Sequence, residues 1–229
     1  MVAFFLLFMA AFPFIVLCSL GDDVAARKKI IGITRSCFSF WLWIIGMQLK
    51  AIGEKPVGRY IYVANHTSYI DTINIVPAID SHFRVLGKAG MTKIPFYGFL
   101  YKKIVILVER KSANSRAISM KQMWLQIKKE GSVFIFPEGT FNETKMPMKE
   151  FYNGAFRLAI KTQTPISPIV FPDAADRWHY SSWLKLWPGR NRAIYLDPIP
   201  VYGLTKKDVP MLQQKVYSLM EDALIKHKK

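Results

Sequence analysis

The stretch Tyr60-Ile61-Tyr62-Val63-Ala64-Asn65-His66-Thr67-Ser68-Tyr69-Ile70-Asp71 decides how this chain is read. Its first five residues are an apolar run of strand length, the pattern of a buried strand. A helix pattern, Tyr69 to Ile79, follows. The join between them carries a histidine and, five residues later, a carboxylate. Within one helix, five residues turn roughly 140° about the axis, so the two side chains would face apart. They meet only if His66 sits in the strand-to-helix turn and Asp71 lies inside the helix. A carboxylate so placed holds the imidazole in one tautomer and leaves the other nitrogen free to take a proton. The spacing alone fits equally a helix-capping turn with an incidental histidine, so the rest of the chain has to decide.

Outward from this stretch, short apolar runs alternate with helical patterns. Strands are predicted at Tyr60–Ala64, Phe83–Leu86, Ile104–Val108, Val133–Phe136, Ile166–Phe171 and Ala193–Leu196. Helices are predicted at Tyr69–Ile79, Pro95–Tyr101, Ala113–Lys129, Gly154–Lys161 and Lys206–His227. Thr205-Lys206-Lys207-Asp208 opens the last helix as an Asp version of a capping box. Its apolar face reads Val209, Leu212, Val216, Leu219 and Leu224. Such alternation indicates an α/β fold with a partly parallel sheet flanked by helices.

Residues 1–53 differ from residues 54–229, which form the α/β domain. Met1 to Leu20 carry no charged side chain; twenty helical residues reach about 30 Å, the thickness of a bilayer core. Pro13 kinks such a helix, which membrane helices tolerate. A signal peptide fits less well, because no Lys or Arg precedes the apolar run and Cys18-Ser19-Leu20-Gly21 is a poor cleavage site. A second apolar segment, Ile30 to Ile52, is interrupted by Arg35, Gln48 and Lys50. Phe38, Phe40, Trp41 and Trp43 cluster in it, as in a helix at headgroup level. The expectation is a membrane-embedded two-helix motif, either dipping into one leaflet or crossing as transmembrane helices. A formal net charge of +16 over 229 residues points to an anionic partner: nucleic acid, a membrane surface, or a phosphorylated or acidic substrate. Cys18 and Cys37 make neither a metal-ligand nor a disulfide-framework spacing. The glycosylation-type triplets at Asn65 and Asn142 read as coincidences.

In open α/β sheets, ligands bind beyond the carboxyl ends of strands. Three predicted strand ends carry polar residues: His66 and Asp71; Glu109-Arg110-Lys111; and Phe136-Pro137-Glu138-Gly139-Thr140. The Arg110 guanidinium is a forked donor suited to phosphate. Gly139 allows close approach to the backbone, and Glu138 and Thr140 offer an acceptor and a hydroxyl. Each cluster by itself also fits a solvated loop or an ordinary turn.

Four blocks occur in order: Asn65-His66-x4-Asp71, Val105-Ile106-Leu107-Val108-Glu109-Arg110, Phe136-Pro137-Glu138-Gly139-Thr140, and Pro165-Ile166-Ser167-Pro168-Ile169-Val170. Together they resemble the glycerolipid acyltransferases typified by the 1-acyl-glycerol-3-phosphate (lysophosphatidate) acyltransferases, with residues 1–53 matching that family's N-terminal helical membrane motif. The resemblance implies that His66 is the general base on the acceptor hydroxyl and Asp71 its orienting partner. It implies that Arg110, Glu138, Gly139 and Thr140 bind the phosphoglycerol part of a lysophospholipid, and that the Pro165–Val170 block bears on the acyl donor or on site shape. The implied partners are membrane lipids, that acceptor, and acyl-CoA or acyl carrier protein as donor, with the catalytic domain on the cytoplasmic face of a membrane. A thioester is already activated, so no metal and no cofactor is expected. The chain departs from the pattern where the family usually has Arg-Ser after Glu-Gly-Thr and Lys before Gly-Ala: Phe141, Asn142 and Asn153 stand there, and Lys145, Lys149 or Arg157 are the candidate replacements.

Three other readings stay open on sequence: an acyltransferase for another lyso-lipid such as an amino-acid lipid, a non-catalytic basic lipid-binding protein, and a lipid hydrolase using the same pair with water. Nucleic-acid binding finds no recognition-helix or zinc pattern. No Gly-x-Ser-x-Gly is present, which argues against a serine acyl-enzyme.

Overall fold

The computed structural model describes residues 2–21, 24–182 and 185–228. A seven-stranded sheet organises it, in the order β1-β7-β6-β2-β5-β3-β4. The strands are β1 (Leu49–Ile52), β2 (Ile61–Ala64), β3 (Phe83–Lys88), β4 (Val105–Val108), β5 (Ser132–Ile135), β6 (Ile166–Val170) and β7 (Asn191–Tyr195). Five neighbours, β6-β2-β5-β3-β4, run parallel. β7 joins β6 antiparallel, and β1 runs parallel to β7 at the edge.

Successive side chains of a strand point to opposite faces, and both faces are covered. Ile61, Val63, Val133, Ile135, Ile166 and Val170 pack beneath α5 (Ala113–Lys129), α6 (Gly154–Thr162) and α8 (Val209–His227). Tyr62, Ala64, Phe134 and Ile169 face α2 (Val24–Ile44) and α3 (Tyr69–Ala78). Double coverage is why the central strands read as continuous apolar runs, not as alternating ones.

Most predicted elements fall within a few residues of their observed bounds, and Ala113–Lys129 matches α5 end to end. Ile104 closes α4 (Tyr97–Ile104) instead of opening β4. The capping box at Thr205 and Asp208 is present, on a single 3₁₀ turn that leads into α8. Met220, not Leu219, completes the buried face of α8. Besides a 3₁₀ turn at Ala89–Lys93, two elements escaped the sequence reading. α7 (Ala174–Arg177) is one turn long. β1 is an edge strand with three exposed residues, so it leaves no apolar run, and it lies in the stretch expected to belong to the N-terminal motif.

The N-terminal helices bear on a second expectation. α1 (Val2–Cys18) is 17 residues long, about 25 Å at 1.5 Å per residue. Among the described residues no helix is long and apolar enough to cross a membrane. α1 packs on α2 and α4 through Ala11, Ile15, Ile30 and Leu100, beside Phe8, Cys18 and Cys37. α2 is a layer of the α/β fold. Trp41 is buried in the core against Trp178, whereas Phe40 and Trp43 stay exposed and stack on each other with centroids 5.8 Å apart.

Arg35, a charge inside an apolar helix, also finds its reason here. Its guanidinium donates to the carbonyls of Val76, Ile79 and Asp80, at and just past the carboxyl end of α3. Those carbonyls have no intrahelical partner, so α2 caps α3. Arg35→Met keeps the aliphatic stem and removes every donor. Hydrogen bonds from a charged group are worth about 1.5–3 kcal/mol, and a protein of this size loses about 2–4 °C per kcal/mol. A fall of roughly 3–12 °C in the thermal midpoint is expected by scanning calorimetry; a midpoint moved by less than about 1 °C would show the clamp to be idle.

Candidate active site

β2 and β5 are parallel neighbours, with Val63 beside Ile135. Their carboxyl ends therefore deliver the turns starting at Asn65 and Phe136 to one place. Ser68 caps α3, its Oγ accepting from the Ile70 N–H at 3.1 Å, and its hydroxyl donates to the Trp178 carbonyl. Asp71 stands in the first turn of α3 and closes the capping box. It is wholly buried. Its Oδ2 accepts from the N–H of Thr67 at 2.7 Å and of Ser68 at 2.8 Å, and lies 3.2 Å from His66 Nδ1. The turn thus does what the spacing required: it bends His66 back over the helix start.

Two backbone donors already occupy Oδ2, which makes it an acceptor. The hydrogen bond to His66 then needs the proton on Nδ1, so Nε2 carries the lone pair. Burial pushes the Asp71 carboxyl above the usual carboxylate range, opposed by its hydrogen bonds to His66 and to the backbone of Ser68 and Thr67. His66 Nε2 makes no hydrogen bond among the described residues.

The rest of the site holds the histidine still. Its ring lies flat on Phe136, with centroids 3.8 Å apart and planes 11° apart, and Phe141 touches it at 4.3 Å. Its backbone is gripped at both ends: the His66 N–H donates to Glu138 Oε1 at 2.7 Å, and its carbonyl accepts from the Asn142 N–H at 2.6 Å. The other Glu138 oxygen accepts from the Lys149 N–H at 2.8 Å. Burial pushes the Glu138 carboxyl up to about 7, opposed by the two N–H groups. Asn65 is equally structural. Its amide donates to the Phe171 carbonyl at 3.2 Å and accepts from the Phe171 N–H at 2.8 Å, tying the end of β2 to the end of β6.

The Glu138-Gly139-Thr140 turn is braced by the segment 149–152. The Tyr152 N–H donates to the Pro137 carbonyl at 2.8 Å, and Lys149 Nζ reaches Thr140 Oγ1 at 3.1 Å. Gly139 has φ +74°, and a Cβ there would lie 2.8 Å from the Tyr152 ring. The close approach expected of Gly139 is therefore made by a side chain of the protein itself. Arg110 follows β4 at the same sheet edge but two strand places beyond β5, about 10 Å sideways. Burial lowers its guanidinium from the ordinary value, with Tyr101 and Tyr152 opposing. The structure brings His66 into contact with both Asp71 and Glu138, and sets Arg110 two strand places away from the Glu138 turn. Sequence reasoning missed the contacts of Asn142 and Phe136 with His66, which depend on the fold, and the Thr67 and Ser68 backbone donors, which the local capping-box pattern Ser68-x-x-Asp71 could have signalled.

A cleft of about 370 Å³ between α2 and β1, lined by residues such as Trp43, Gln48, Lys50, Pro77 and Tyr195, includes no residue of this constellation. No His, Cys, Asp and Glu group able to hold a metal ion occurs among the described residues.

Comparison with known proteins identifies the family. A family model described as Acyltransferase matches residues 49–172, more than half of the chain. The chain is similar to a 1-acyl-sn-glycerol-3-phosphate acyltransferase of Haemophilus influenzae, 27% identical over 224 residues that cover 94% of this chain and 92% of that protein. It is 28% identical to the human 1-acyl-sn-glycerol-3-phosphate acyltransferase alpha over 217 residues, 92% of this chain and 74% of that one. In fold it resembles the crystal structure of the 1-acyl-sn-glycerophosphate acyltransferase PlsC from Thermotoga maritima, with a TM-score of 0.78 at 18% identity, covering 99% of this chain and 94% of that one. The matched segment contains His66, Asp71, Arg110 and Glu138, and the chain belongs to the acyltransferase family.

Proposed function

We propose that this acyltransferase moves a fatty acyl group from a thioester donor, acyl-CoA or acyl carrier protein, to the free hydroxyl of a lysophospholipid, namely 1-acyl-glycerol-3-phosphate, giving phosphatidate. The observation that carries the mechanism is the 3.2 Å contact of His66 Nδ1 with the wholly buried Asp71, with no hydrogen bond to Nε2 among the described residues. Relatives named for that reaction along nearly the whole chain support the acceptor.

In this reading Nε2 takes the proton of the acceptor hydroxyl as its oxygen attacks the thioester carbonyl. Asp71 steadies the imidazolium. The tetrahedral intermediate collapses, the C–S bond breaks, and the departing sulfur takes the proton back from Nε2. Phe136 and Phe141 exclude water from two sides of the imidazole and hold its plane. Arg110, Glu138, Gly139 and Thr140 make up the acceptor-binding edge; Glu138 acts there through the backbone, since both its oxygens are engaged.

We place the protein on a membrane, with the catalytic face towards the cytoplasm. Phe14 and Leu17 of α1, Leu20 just after it, Ile94 and Phe96 just before α4 and Phe99 within it are exposed, and the Phe12 ring of α1 lies 5.3 Å from Phe96 and 5.8 Å from Phe99. Large apolar side chains left exposed on two elements in contact mark an interaction surface. The net charge of +16 adds attraction to an anionic leaflet, worth about 1 kcal/mol for each cation close to it.

His66→Ala should lower kcat by about 10²–10⁴ with an unchanged circular dichroism spectrum, and Asp71→Asn should also be damaging because the imidazole loses its fixed tautomer. Wild-type turnover in His66→Ala would sink the mechanism. Arg110→Ala should raise the KM for lysophosphatidate more than the KM for the thioester; a melting loss with both constants unchanged would make Arg110 purely structural. In fractionated cells, 1 M salt should leave the protein in the membrane pellet and detergent should release it. Release by salt alone would count against apolar insertion.

A further inference from the structure

Lys149 occupies a position that the mechanism above does not use. Its backbone N–H holds Glu138, the residue that grips His66. Its side chain turns to the same spot from the other side: Nζ lies 3.1 Å from Thr140 Oγ1 and 3.5 Å from the Phe141 carbonyl. Both partners are neutral oxygens. No carboxylate pairs with this ammonium among the described residues, and the nearby Glu138 is committed to two backbone N–H groups. Lys149 is only half-buried, and Thr140 is exposed.

An unneutralised cation beside an exposed hydroxyl, on the turn that adjoins the His66 turn, is a site for an anionic oxygen. Its placement is firm, because the 149–152 segment is tied to the turn at both ends, through Lys149 N to Glu138 and Tyr152 N to Pro137. Residue 141 cannot serve, since its ring packs on His66, Tyr69 and Tyr180. Arg110 follows β4 at the same sheet edge, within electrostatic range of Tyr152.

We propose that Lys149, with the Thr140 hydroxyl, binds the phosphate monoester of the acceptor, so that the phosphate lies along the Glu138–Thr140 turn and the free hydroxyl faces His66. This rests on the phosphate-bearing acceptor proposed above. Lysine is suited to the task as a compact point charge with three donors, of which the protein engages at most two.

The test uses the full-length protein in detergent with acyl-CoA, and compares lysophosphatidate with the monoacylglycerol of the same chain. Lys149→Met should raise the KM for lysophosphatidate about tenfold or more, while the KM for acyl-CoA and for monoacylglycerol stays within about twofold; Lys149→Arg should recover most of the loss. Inhibition by glycerol 3-phosphate should weaken in parallel, which gives a binding readout apart from turnover. A loss of equal size with both acceptors, or an unchanged lysophosphatidate KM, would overturn the role of Lys149 and leave the proposed reaction standing. Wild-type protein that acylates only the uncharged acceptor would instead overturn the phosphate acceptor, and with it this site. Should Lys149→Met fail to fold, glycerol 3-phosphate inhibition that is unaltered in Lys149→Gln would overturn the proposal.

Discussion

One oxygen atom carries much of this structure. Asp71 Oδ2 accepts from two backbone N–H groups and from His66 while shielded from water. Burying a carboxylate is costly unless it is hydrogen-bonded. The start of α3 supplies those bonds by the geometry of a capping box, so the interaction that begins the helix also sets the tautomer of the histidine. Replacing the carboxylate would leave two buried N–H donors and the ring nitrogen unpaired at once. The helix start, the turn and the orientation of the imidazole are therefore one cooperative unit.

A second buried carboxylate extends that unit across the sheet. Glu138 links the His66 backbone to the backbone of Lys149, joining the turn after β2 to the loop that precedes α6. Asn65 does the same toward β6 through Phe171. In a parallel sheet the carboxyl ends of neighbouring strands open on one edge, so β2, β5 and β6 place these residues within reach without any long excursion of the chain. The imidazole is held between aromatic rings, in surroundings where electrostatic interactions are stronger than in water. Its ring and its backbone are both constrained, which keeps the reacting nitrogen in place.

The N-terminal region shows how one helix can answer to two environments. α2 buries Trp41 and Leu42 against the sheet and uses Arg35 to cap α3, yet leaves Phe40 and Trp43 exposed. In the sequence these aromatics form a single cluster. Helical rotation of about 100° per residue separates them onto different faces. Composition could not show that separation, and the segment's apolar average concealed both the layer role of α2 and the edge strand β1 that follows it.

Sequence by itself determined the fold class, because strands covered on both faces must read as apolar runs and their alternation with helical periodicity admits few architectures. It determined the His66–Asp71 pair as well, since the contact is local: five residues, one turn and one helix cap contain all the geometry. The antiparallel placement of β7, the edge strand β1, and the contacts of Glu138 and Asn142 with the histidine turn were decided only in three dimensions. These contacts span gaps of about 70 residues or more between the turn and its partners, or depend on which strands become neighbours. Strand order is a property of the whole packed sheet, set by which faces can be buried together, and no local pattern in the chain encodes it.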